Sequence, residues 1–182
     1  MKAFKKICTA LMLLAFAFVF ASCSSGSDSD DDDDQSITLS AGDYTLAITQ
    51  TSDGMVEKYD IKATASNESW TFKSGSKTET VDLTKKMKTD ELEEFNKMDE
   101  NAKKAEAKKN MKSPADAEVS FVNNEVIVKS TLSAAELTEM QKNYQLSSIP
   151  SDAKIETITD KTEYEITMSK AWGTIVFHVN KV

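Results

Sequence analysis

Strict alternation of apolar and polar side chains governs what this chain can become. In residues 43–50, DYTLAITQ, Tyr44, Leu46 and Ile48 take every second place and polar residues fill most of the gaps. A period of two places those side chains on one face of a strand, whereas a helix would scatter them. Ser52-Asp53-Gly54 is a turn signal, and alternation resumes from Val56 to Ala65 through Tyr59, Ile61 and Ala63. Two such runs across a Gly turn read as a hairpin. Trp70 and Phe72 mark a third strand, and Val81 and Leu83 a fourth after the turn Ser74-Gly75-Ser76. Val119 to Val128 reads as a second hairpin around Asn123-Asn124, residues that tolerate positive φ. Ile155 and Ile158 suggest a short strand. Tyr164, Ile166 and Met168 form another, and Ile175, Phe177 and Val179 the last, joined through Lys170-Ala171-Trp172-Gly173.

Two segments change period. From Asp90, the residues Leu92, Phe95, Met98, Ala102 and Ala105 recur every three or four places, which predicts one helix to about Met111. Its acidic residues Asp90, Glu91, Glu93 and Glu94 open it, and Lys103, Lys104, Lys108, Lys109 and Lys112 close it. That order suits the helix dipole. Ser133-Ala134-Ala135-Glu136 is a capping box for a second helix through about Tyr144, with Leu137, Met140 and Tyr144 facing inward. The expected class is α+β: a largely antiparallel sheet of about eight strands, curled or barrel-like, with two inserted helices.

Residues 1–6, MKAFKK, carry three positive charges, and 7–21, ICTALMLLAFAFVFA, carry none. A basic start and a short apolar core make a secretory signal. As a helix the core would reach about 22 Å, short of the ~30 Å of a bilayer interior. Cys23 stands at the end of this core, after the small residues Ala21 and Ser22. Phe20-Ala21-Ser22-Cys23 resembles the lipobox of bacterial lipoproteins, with Phe20 where an aliphatic residue is usual. The resemblance implies cleavage before Cys23 and acylation of its sulfur, often of its new amino group too. Two or more acyl chains hold a protein at a membrane stably. Ser24 rather than Asp after the Cys implies an outer-membrane destination in such lipoproteins.

The organisation follows from this. Residues 1–22 are the expected signal peptide. Residues 23–36 are the acylated Cys and an acidic tether, SSGSDSDDDDDQS after Cys23, with six Asp and no apolar side chain. Asp28, Asp30 and Asp32 have a calcium loop's spacing, but Asp33 and Leu39 stand where it needs Gly and Glu. Residues 37–182 are the expected single domain.

That domain has no Cys, so it must fold on its core alone, and its 19 Lys against 24 acidic residues leave it at −5. An acidic chain without Arg is poorly suited to nucleic acid. His178 is the single His and alternates away from the apolar set, so no His or Cys metal site can form around it. Glu163 and Glu165 flank Tyr164 on an outer face, and no Gly-x-Ser-x-Gly or phosphate loop is present. No enzyme, catalytic residue, metal site or cofactor is expected. Trp172, in a turn, is the candidate partner contact. The expected function is a membrane-anchored interaction module for a protein or glycan partner. Alternatives are an envelope structural component or a small apolar ligand carrier, the latter needing a cavity lined by Tyr44, Tyr59, Trp70 or Phe121.

Overall fold

The computed structural model describes residues 35–67, 69–147 and 149–182. The signal segment, Cys23 and the tether through residue 34 lie outside the described residues. Eight strands form one sheet: β1 (Leu39–Ser52), β2 (Met55–Asn67), β3 (Ser69–Asp82), β4 (Glu118–Val122), β5 (Glu125–Thr131), β6 (Lys154–Thr159), β7 (Glu163–Lys170) and β8 (Gly173–Lys181). The order across the sheet is β4-β5-β3-β2-β1-β8-β7-β6. Every neighbouring pair is antiparallel.

The sheet has free edges at β4 and β6, so it does not close into a barrel as the alternation suggested. Helices, not a return of the sheet upon itself, cover its dry face. Among the described residues there are four helices rather than two: α1 (Leu83–Lys86), α2 (Thr89–Lys97), α3 (Glu100–Asn110) and α4 (Ala134–Asn143). Two local signals explain the difference. Asp82 accepts hydrogen bonds from the Thr84 amide at 2.9 Å and its hydroxyl at 2.6 Å, which starts a helical turn at Leu83 where a strand was expected. Asp99 accepts from the Ala102 amide at 2.9 Å and caps a new helix. Met98 before it is extended, so the continuous stripe from Leu92 to Ala105 breaks in two.

The third and fourth expected strands are one, because β3 runs straight through Ser74-Gly75-Ser76. Gly75 is needed for close approach rather than for a turn. A Cβ there would lie 2.9 Å from the Asp60 carbonyl oxygen and 3.0 Å from Leu132 Cδ1. The Asn123-Asn124 hairpin is as expected, with φ of 48° and 65° at the two residues. So is the capping box on α4, where Glu136 accepts from the Ser133 amide at 2.7 Å and Ser133 Oγ from the Glu136 amide at 3.3 Å. Gln35, assigned to the tether by its composition, pairs with Ile149 through two 2.8 Å backbone bonds.

Register puts alternate residues of each long strand on the inner face, and bulges switch that parity within β1 and β3. Val179, Leu46 and Ile61 form one row, and Phe177, Ile48 and Tyr59 the next. Two apolar cores stand on this face. The larger lies under α4 and includes Leu46, Ile48, Ile61, Trp70, Tyr144 and Phe177. The smaller lies under α1–α3 and includes Met55, Val81, Phe95, Val119 and Val126.

Candidate functional site

The outer face carries the intervening residues, and no helix among the described residues lies over it. Two cross-strand rows stand out there. His178, Ala47, Asp60 and Ser76 lie side by side, and Asn180, Thr45, Lys62 and Ser74 form the adjacent row. Ala47 and Thr45 on β1 are short, while Asp60 and Lys62 on β2 and His178 and Asn180 on β8 are longer. Strands lie about 4.8 Å apart, so short residues between longer ones make a groove along β1. Together with Ser74 to Ser76 these residues line a trough of about 550 Å³, the size range of small-ligand sites.

The trough mixes charges. His178 Nδ1 stands 3.3 Å from Glu165 Oε2 on the neighbouring strand. Asp60 and Lys62 are exposed, and neither has an oppositely charged partner within 4.0 Å among the described residues.

A second polar constellation lies on the inner face, between the two cores. Lys77 Nζ is 2.8 Å from Glu57 Oε1 and 3.0 Å from Glu79 Oε2. The Tyr59 hydroxyl donates to Glu57 Oε2 at 3.2 Å. Beside them, Gln50 donates to the Tyr144 hydroxyl at 3.0 Å, and Trp70 donates to the Tyr144 carbonyl at 2.7 Å. The Glu57 side chain is 3% exposed, so its charge depends on these partners rather than on water. Burial raises the Glu79 carboxyl above its usual value, more than Lys77 lowers it, and the Glu57 charge adds to the rise. Burial alone would lower the Lys77 ammonium, but Glu79 and Glu57 outweigh it and hold it above its usual value. Burial first, then Glu57, pushes the Tyr59 and Tyr144 phenols up. These groups are bound to one another and form a structural clamp.

The structure disperses the residues singled out in the sequence. Trp172 sits in the β7–β8 turn, 38% exposed, six residues from His178 and so about 20 Å along β8 from the trough. His178 and Glu165 do face outward. Tyr44, Tyr59 and Trp70 are buried in the larger core, and Phe121 packs against the smaller one. Phe121 thus belongs to a different core from the other three. The gap beside Trp70, Tyr144, Ile166 and Phe177 is about 20 Å³, room for roughly one water. No group of three His, Cys, Asp or Glu able to hold a metal occurs among the described residues. No helix among them is long and apolar enough to cross a membrane.

Asp60 and Lys62 were missed because they look like ordinary wet-face residues. The inward clamp had a readable signal: Glu57 shares parity with Met55, Tyr59 and Ile61. The chain matches no family model, no curated protein and no solved structure.

Proposed function

We propose that the chain is a lipid-anchored bacterial envelope protein whose sheet domain is an interaction module, recognising its partner on the outer face. The observation that carries this reading is the contrast in space: a 550 Å³ trough open on the outer face, against a gap of about 20 Å³ in the larger inner core. The outer site suits binding rather than internal carriage. The anchor is Cys23, with residues 24–34 between it and Gln35. The six Asp within residues 28–34 would be repelled by anionic headgroups. Trp172, in the β7–β8 turn away from the trough, is a second contact point.

Two experiments test the two halves. Metabolic labelling with an alkyne fatty acid should mark the wild-type chain in its bacterial host and not Cys23→Ser. Equal labelling of both would remove the anchor. A photo-crosslinking residue at Thr45 or Asp60 should yield adducts on whole cells, and one at Glu94 on α2 should not. Adducts from Glu94 alone would remove the outer face as the recognition surface.

A further inference from the structure

We infer that the trough binds a small zwitterion, with its anionic group at Lys62 and its cationic group at Asp60. This deepens the proposed function and rests on the outer face being the recognition surface.

Asp60 and Lys62 are two residues apart on β2 and share the outer face, so their Cα atoms stand about 7 Å apart. Unpaired opposite charges at that spacing form a fixed dipole on the protein surface. Their neighbours leave the dipole uncovered. Asp60 is flanked by Ser76 on β3 and Ala47 on β1, and Lys62 by Ser74 and Thr45. These residues are short, and the hydroxyls among them can donate or accept.

The surroundings differ between the two rows. Beyond Ala47 lies His178, drawn to Glu165 at 3.3 Å, so a second carboxylate stands on the Asp60 side. On the Lys62 side, Asn180 offers a neutral amide, and the Glu163 carboxylate next to it accepts from the Thr159 hydroxyl at 3.3 Å. Each row thus has one carboxylate on β7 beyond it, and the sign of each end is set by Asp60 and Lys62 themselves. Lys58 also lies on this face of β2, but outside the trough, whose lining takes in only the Asp60–Lys62 step. No Phe, Tyr or Trp is in the lining, so no aromatic box surrounds a cation there. Charge complementarity must select the occupant, and its volume limits it to a small molecule or a chain end.

The probe is 6-aminohexanoic acid, whose ammonium and carboxylate stand about 7 Å apart when extended. The full chain in detergent micelles is titrated and followed by amide chemical shifts. The expected result is saturable movement at 45–47, 60–62, 74–76 and 178–180. Asp60→Asn and Lys62→Gln should each weaken binding by about fivefold or more, as should replacing the probe by hexanoate or by hexylamine. Both substitutions are at exposed positions, and an unchanged spectrum elsewhere shows that they fold. Hexanoate or hexylamine binding as well as the zwitterion would overturn the assignment. So would an absence of saturable movement. The crosslinking at Thr45 and Asp60 reports independently on the outer face, so loss of the ligand assignment and loss of the recognition surface are told apart.

Discussion

The two faces of the sheet come from the same strands, in alternate residues, and have opposite fates. On β1, Leu46 and Ile48 are 1% and 0% exposed, while Thr45 between Tyr44 and Leu46 is open to solvent. The inner face is closed by four helices and divided by a charged clamp. The outer face is bare, hydroxyl-rich and grooved. In an antiparallel sheet, one parity can carry stability and leave the other free to vary with a ligand.

The largest expected effect is at the clamp. Lys77→Ala leaves Glu57 and Glu79 facing each other without a cation, and should cost about 3–5 kcal/mol in denaturant unfolding. A loss under about 1 kcal/mol would mean water replaces Lys77 freely. Next is the larger core. Ile48→Ala, at a fully enclosed site, should cost about 2–5 kcal/mol and shift the urea midpoint accordingly. Gly75→Ala sets a methyl against the Asp60 carbonyl and Leu132, and should cost about 1–3 kcal/mol.

The clamp also has a pH signature. Because the folded-state value of Glu79 is raised, its charged form is disfavoured in the folded protein. Stability should therefore rise as pH falls from neutral toward the ordinary 4.5, as Glu79 takes up its proton. Asp82 and Glu100 are held below their usual values by Thr84 and Lys104, and act in the opposite sense at lower pH. The difference between wild type and Glu79→Gln isolates the first effect: the gap should narrow or change sign on acidification. A gap independent of pH between neutral and 4.5 would show that Glu79 does not titrate there. Lys77, raised by both carboxylates, should keep its contribution below 10.5 and lose it only as pH climbs above that.

How much of this was legible depended on which force decided each element. Alternation in β1, β2, β7 and β8 is strong, and burial obeys it residue by residue. Capping at Ser133 was equally readable because it is local chemistry. The break at Met98 was not, since an unbroken apolar stripe outweighed the Asp99 cap on inspection. Gly75 read as a turn because Gly between two Ser usually is one. Its true reason, space for the neighbouring strand and for Leu132, depends on a partner 57 residues away. Edge or closure is likewise a global property, and no residue of β4 or β6 announces it. The trough was the hardest part to read. It requires four strands in register, and each of its residues alone is an unremarkable wet-face side chain.

The division of labour between the faces is tested most directly by unfolding a variant in which the trough is rebuilt: Thr45→Ala, Asp60→Asn, Lys62→Gln and Asn180→Ala together. Exposed positions away from caps and clamps change stability by about 0.5 kcal/mol each or less, so the fourfold variant should stay within about 2 kcal/mol of wild type. A loss of about 4 kcal/mol or more would contradict that division, since the outer face would then be holding the fold rather than standing free for a ligand.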